Sequence, residues 1–307
     1  MIRRLLLPVL SVVAGIFLLW YAFVPVMNMP WAVGQAARAG LEVSVPEGQP
    51  ARDVSGLVLT LRNPALIPET YGQERPVLPA PHQVFAELWD TTVEKRLTSK
   101  RSLIYHGTVT LSVTLAGFAF GAVLGTLLAI GIVYNRAMDR SVMPWVIASQ
   151  AIPILAIAPM IIVVMASVGL KGFVPKAIIA TYLSFFPVVV GMVKGLRSPS
   201  PIQRDQMRTW NASAAQEFCR LRLPSSVPYL FTSLKVAVAA SLVGTIVGEL
   251  PTGASAGLGA RLLTGSYYGQ TIQIWSALMA AAVLAALLVA SVGLVSRLVE
   301  RQMGFAR

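Results

Sequence analysis

Residues 102–135 read SLIYHGTVTLSVTLAGFAFGAVLGTLLAIGIVYN, thirty-four consecutive positions without an Asp, Glu, Lys or Arg. Crossing the hydrocarbon of a bilayer takes roughly 20 apolar residues in a helix, so this stretch can span and still project beyond. Working outward, further charge-free runs occupy 5–37, 141–170, 177–193 and 262–296. Together they place helices near 5–26, 108–133, 143–168, 175–193 and 272–295. A sixth candidate, 228–250, carries Lys235 near its start and Glu249 at its end. Its strictly apolar part is short, and Lys235 must snorkel toward the headgroups. The count is six spans, with 228–250 the weakest by composition.

The rest of the 307 residues agrees. Hydrophobic residues make up 55%, charged residues 12%, and mean hydropathy is +0.68. Soluble domains carry about a quarter charged residues, so this chain cannot clothe a globule in solvated groups. Disorder, coiled coil and collagen are excluded by the same figures. The formal charge of +12 reads as the cationic excess of cytoplasmic loops, not as a nucleic-acid surface, because no basic run is interleaved with aromatics. One cysteine, Cys219, allows no internal disulfide, and with only His82 and His106 beside it no protein-only zinc site is expected. Arg3 and Arg4 before the first apolar run suggest a signal peptide, but the run is long and no A-x-A site follows it, so a retained anchor is expected.

Loop charges set the orientation. With the N-terminus inside, segments 1–4, 134–142, 194–227 and 296–307 are cytoplasmic and net +2, +1, +4 and +2, whereas outer segment 27–107 has eight basic and eight acidic residues. Both termini are therefore expected in the cytoplasm. The domain reading is an anchor at 1–26, an extracytoplasmic segment at 27–107, and a five-span core at 108–307. Within the outer segment, alternation at 41–45 and 56–62 predicts short strands. Val84, Phe85, Leu88 and Val93 predict an amphipathic helix at the interface, packed on the protein's own flank.

The longest inward loop, 194–227, has a construction of its own. A short helix is expected over 202–210, then a bend at Asn211, because Asn tolerates the left-handed conformation. Ser213 and Gln216 have the spacing of a capping box for a second helix. Phe218, Leu221 and Leu223 fall near one face of it, and Pro224 and Pro228 are expected to end it. Two short helices meeting at a bend outside the membrane make a docking knob.

This loop resembles the signature loop of binding-protein-dependent ABC importer permeases, where Glu-Ala-Ala is followed by a spaced Gly and then Ile-x-Leu-Pro. Here Asp205-Gln206-Met207 stands for Glu-Ala-Ala, Asn211 for the Gly, and Leu221-Arg222-Leu223-Pro224 follows at the expected distance. Leu78-Pro79-Ala80-Pro81, Ile152-Pro153, Ala158-Pro159, Phe185-Phe186-Pro187 and Glu249 with Gly257-Leu258-Gly259 are similar to the nitrate/sulfonate/taurine/pyrimidine-precursor branch. The likeness covers 1–26 and 78–307; residues 27–77 look like an insertion. Gln and Met replace two small alanines, which alters the docking surface in detail.

The resemblance implies an all-α, six-span type I importer permease in the inner membrane, with no catalysis of its own. It implies a second permease copy, two ATPase subunits that use ATP and Mg, and an extracytoplasmic binding protein that delivers a small solute. By the same resemblance, ATPase docking falls to Asp205, Met207, Trp210, Asn211, Ala212, Ser213, Phe218, Leu221, Leu223 and Pro224. The chain has no G-x-x-x-x-G-K-[ST] phosphate loop, so no cofactor is expected on it. Polar or helix-distorting groups at membrane depth, Gln150, Pro153 and Glu249, are candidates for the path. Ser149, Tyr182 and Ser184 are weaker ones, while Met160, Met165 and His106 read as packing or interfacial residues. The rival class, an ATP-independent secondary transporter or channel, would show paired intramembrane charges or matched broken helices in two inverted halves. A membrane enzyme would need a nucleophile with a base, or a metal cluster.

Overall fold

The computed structural model describes residues 2–46, 49–251 and 255–304, with side chains from residue 7 onward. Among the described residues there are helices and loops and no strand. Among the described residues five helices are long and apolar enough to cross a membrane, and a bent pair makes a sixth if it counts as one span. The expected continuous span at 143–168 is instead a pair, Arg136–Ala151 and Ile154–Ser167, bent by 102°. Pro153 explains the break: it supplies no N–H, and it forces the preceding Ile152 into extended backbone (φ −86°, ψ 121°).

The chain divides into two compact units, one formed by Met1–Leu103 with Arg261–Met279 and the other by Ile104–Ala260 with Ala280–Arg307. In the first, α1 (Ile2–Arg38) is about 55 Å long at 1.5 Å per residue. It runs well past residue 26, and its last turns pack against residues 54–66. Met29, Ala32, Val33 and Ala36 of α1 form a buried core with Val54, Leu59 and Leu66. The predicted strands are absent: 41–46 is irregular, and 56–62 is helix α2 (Gly56–Arg62). The alternation misled because only Leu59 is buried, while Leu57 and Leu61 share an exposed face one turn apart. Gly56 lets α2 lie directly on α1, since a Cβ there would stand 1.9 Å from the Val26 carbonyl oxygen.

A turn of 3₁₀ helix and the short α3 (Ile67–Thr70) follow. Buried Asn28 then ties the segment down: its amide donates to the Thr70 and Leu78 carbonyls and accepts from the Leu78 N–H. The expected interfacial helix is α4 (Pro81–Trp89), continued by a wide π turn over Asp90–Glu94. Glu87 of α4 lies 3.8 Å from Arg261. Burial raises the Glu87 carboxyl above its usual value, against the pull of Arg261, and burial lowers the Arg261 guanidinium.

The second unit is built on α5 (Leu103–Tyr134), α6 (Arg136–Ala148), α7 (Ile154–Ser167), α8 (Phe173–Leu196) and, after the inward loop, α11 (Leu223–Glu249). Helix α8 is the axis. Gly117, Gly121 and Gly125, one per turn of α5, face Ala180, Ser184 and Val188, and any Cβ there would approach to 2.0–2.8 Å. Further along the helix, Gly191 and Gly195 take Ser233 and Ser226 of α11, and Gly244 of α11 takes Ala180. Small residues permit this backbone approach where lipid offers no hydrophobic drive. Contrary to its apolar count, the span around Lys235 is among the best buried. It starts earlier than 228, and Pro224 and Pro228 lie inside its helix. A π turn over Phe218–Arg222 precedes it, with the Leu223 N–H reaching back to the Phe218 carbonyl. That wide turn and the helix's own first turn leave no intrahelical bond for Pro224 to break. Helices α12 (Leu258–Tyr267) and α13 (Thr271–Gln302) complete the chain.

Candidate docking loop and transport path

Loop 194–227 carries two short helices, α9 (Pro201–Thr209) and α10 (Ala214–Glu217). Each begins with a reciprocal cap. Ser200 Oγ accepts from the Gln203 N–H while Gln203 Oε1 accepts from the Ser200 N–H, and Ser213 and Gln216 repeat the arrangement. Between them Asn211 has φ +52°. The Ala212 N–H donates to the Met207 carbonyl and the Asn211 N–H to that of Arg208. These two bonds close a Schellman turn, so the bend is fixed on both sides. Asp205 is exposed and paired with Arg208, and Trp210 and Ile202 are 67% and 79% exposed. Phe218 and Leu221 are half-buried and Leu223 opens α11.

Behind the knob, Arg222 joins it to the bundle. Its Nε donates to Glu217 Oε1 at 2.8 Å, its Nη1 to the Leu196 carbonyl at the end of α8, and its guanidinium lies 5.4 Å from the Tyr134 ring at the end of α5. Tyr134 in turn meets Phe218 edge-on, with centroids 5.8 Å apart. The Arg222–Glu217 pair is mostly shielded from solvent, so it is screened less than a surface pair. Nearby, Arg197 pairs with Asp139 at 2.9 Å.

Of the three path candidates, Gln150 and Pro153 share the bend between α6 and α7, and Glu249 ends α11. Gln150 lies exposed in the 3₁₀ turn Ser149–Ala151, and Pro153 caps α7 at the bend. Tyr182 donates to the Ser149 carbonyl, and Ser184 to that of Gly117. Glu249 is fully buried. Its carboxyl accepts from Thr110 Oγ1 (2.9 and 3.0 Å) and from the Gly259 N–H (2.9 Å). The neighbouring Leu258 and Gly257 N–H groups donate to Thr110 Oγ1 and His106 Nδ1. Three side chains from α5 and α11 thus satisfy three successive amides at the start of α12, where a helix leaves its N–H groups unpaired. His106, expected to be interfacial, is 5% exposed and part of this clasp. A groove of about 530 Å³ opens instead between α8 and α11, lined by Phe186, Val190, Lys194, Tyr229 and Thr232. There Lys194 Nζ lies 5.9 Å from the Tyr229 ring centroid.

Residues 121–305 match the family of binding-protein-dependent transport system inner membrane components. The chain belongs to this family. Among curated relatives, the formylaminopyrimidine transport permease of Halalkalibacterium halodurans is 33% identical over 184 residues, 60% of this chain and 68% of that one. A riboflavin transport system permease of Chloroflexus aurantiacus is 29% identical over 228 residues, 73% and 80% of the two chains. A nitrate import permease of Leptolyngbya laminosa is 23% identical over 220 residues, 70% and 77%. The fold is that of a solved methionine ABC transporter in an inward-facing conformation, with TM-score 0.56 and 20% identity over 64% of this chain and 95% of that one. The protein is therefore a multi-pass permease subunit of an ABC importer, and the ATP-independent class is set aside.

Sequence reasoning about this permease missed Arg222 as a joint, Thr110 as the partner of Glu249, and the α8–α11 groove. Arg222 stood inside the quoted Leu-Arg-Leu-Pro motif, but nothing local reveals contacts with Leu196 and Tyr134. The four-residue glycine spacing on α5 and the serines of α11 were the available signals for close helix packing.

Proposed function

We propose that this permease couples ATP hydrolysis by separate subunits to the uptake of a small solute, and that loop 194–227 is the docking element. The observation that carries this reading is a knob capped at both helices, bent at a left-handed Asn211, and presenting Ile202 and Trp210 to solvent. Exposed large apolar side chains on a rigid loop suit a hydrophobic groove in a partner. Two copies of the chain would enclose the path, with the α8–α11 groove facing it. Two ATPases would hold the knobs and supply ATP and Mg chemistry, and an external binding protein would deliver the solute. Loop charges support cytoplasmic termini. The relatives named for formylaminopyrimidine, riboflavin and nitrate support a small anionic or heterocyclic solute. The Lys194 ammonium and the Tyr229 and Phe186 rings of the groove are chemically compatible with either.

The test is affinity purification of the tagged chain in mild detergent, with identification of co-purifying proteins and an assay of ATP hydrolysis. A stoichiometric ATPase is expected, and it should be lost on Trp210→Glu or Ile202→Glu while the permease stays folded. A lone homo-oligomer without ATPase would overturn the docking role.

A further inference from the structure

Helix α4 has two apolar faces, and only one is covered by the protein. Pro81, Val84 and Thr91 are buried. Phe85 and Trp89, one turn apart, are 56% and 63% exposed, and Val93 and Leu97 continue the exposed apolar surface at 58% and 62%. Residues 95–101, Lys-Arg-Leu-Thr-Ser-Lys-Arg, then carry four cations and no anion. Lys95 is engaged by Asp90 at 2.8 Å, and that hydrogen bond holds the Asp90 carboxyl below its usual value. Arg96 and Arg101 are exposed.

Contacts with α1 fix the depth of this surface. Phe85 stacks on Phe17 with centroids 6.1 Å apart, Trp20 Nε1 donates to the Pro79 carbonyl at 2.9 Å, and Tyr21 meets His82. If the crossing begins near residue 5, a hydrocarbon thickness of ~30 Å ends near residue 25. Residues 17–21 then lie roughly 6–12 Å inside that boundary, the depth at which amphipathic helices rest. Trp20 also packs on Trp275 at 4.9 Å and Tyr21 on Tyr71 at 6.1 Å. The α4 surface therefore begins within an aromatic cluster of the kind that marks a membrane interface. It continues the outward-facing side of α1, where Ile16, Leu19 and Phe23 are more than half exposed.

We propose that the Phe85–Trp89–Val93–Leu97 surface is seated in the bilayer, with Arg96 and Arg101 on the phosphates of anionic phospholipids. The occupant is lipid because this surface starts against a lipid-facing helix, at Phe85 on Phe17, and ends in a run of cations. In this arrangement α4 anchors the inserted segment to the membrane, in addition to packing on the protein's flank.

Collision accessibility tests it. In the full-length chain, Cys219→Ser removes the one native thiol. Trp89→Cys, Val93→Cys and the comparison Glu94→Cys then carry nitroxide labels, with the protein in nanodiscs of phosphatidylcholine and phosphatidylglycerol. Labels at 89 and 93 should show a several-fold higher ratio of oxygen to nickel-chelate collisions than the label at 94. Equal nickel access at 89, 93 and 94 would overturn the proposal by placing the surface in water. Shielding of 89 and 93 from both reagents would overturn it by placing a protein partner or a second copy there. Arg96→Gln with Arg101→Gln should lower co-purifying phosphatidylglycerol several-fold relative to phosphatidylcholine, and unchanged retention would refute the headgroup contact.

Discussion

Glu249 shows how one buried side chain can dictate what its neighbours must be. A carboxyl enclosed by α5, α11 and the start of α12 survives only with its acceptor sites filled, and Thr110 and the Gly259 N–H fill them. The backbone must come close, so residue 257 has φ +122° and a Cβ there would stand 2.2 Å from the Glu249 carboxyl carbon. Gly257→Ala therefore meets both a backbone region reserved for glycine and a collision, and should cost roughly 3 kcal/mol or more. Glu249→Gln keeps the size and one acceptor oxygen and should cost about 1 kcal/mol, whereas Glu249→Ala strands two buried donors and should cost about 2–4 kcal/mol. Thermal melting in detergent should show Glu249→Gln as the mildest of the three, with Glu249→Ala and Gly257→Ala both clearly more damaging. A Glu249→Ala protein as stable as the parent would show that the clasp contributes nothing.

At the scale of elements, the proposed docking role makes the joint between knob and bundle the place where transmission is to be tested. The caps at Ser200 and Ser213 and the turn at Asn211 make the knob stiff, while Arg222 links it to the ends of α5 and α8. Asn211→Gly should keep ATPase binding, since glycine accepts φ +52° more readily. Asn211→Pro cannot reach that angle and should abolish co-purification without preventing membrane insertion. Arg222→Ala should leave the ATPase bound yet lower transport per ATP hydrolysed, and Arg222→Lys should not restore it, because an ammonium lacks the planar fork. Transport assays in proteoliposomes beside a pull-down separate these outcomes. Most elements were legible in the sequence because membrane burial excludes charge over whole helices, and the knob was legible because caps and left-handed turns are local chemistry. The bend at 152–153 was visible only as two prolines, since hydropathy does not register direction. Residues 56–62 were misread because the partner that buries Leu59 is the far end of α1, and α1's length beyond the bilayer leaves no trace in charge. Glu249 was noticed as a carboxylate near the membrane, but its burial depends on Thr110, 139 residues away.

At the scale of the whole molecule, residues 39–77 lie outside the region that matches the family. This segment is built as a small domain on the end of α1, with its own core and an amide clasp at Asn28. Its outer side carries a shallow groove of about 660 Å³ between residues 41–44 and 62–66, with Glu42 and Arg62 at its walls and exposed Leu57 and Leu61 nearby. Under the proposed importer function this face would meet the delivered binding protein, and that expectation separates two kinds of variant. Asn28→Ala leaves buried backbone groups of Thr70 and Leu78 unpaired, at about 1–3 kcal/mol for such a loss; it should open the segment to limited proteolysis and lower transport together. Leu61→Arg with Glu42→Lys touches only the exposed face, where substitutions typically change stability by about 0.5 kcal/mol or less. It should therefore leave melting and ATPase co-purification unchanged while weakening the stimulation of ATP hydrolysis by the loaded binding protein. Full stimulation with the surface variant and impaired transport with Asn28→Ala would instead assign the segment a purely structural duty on α1.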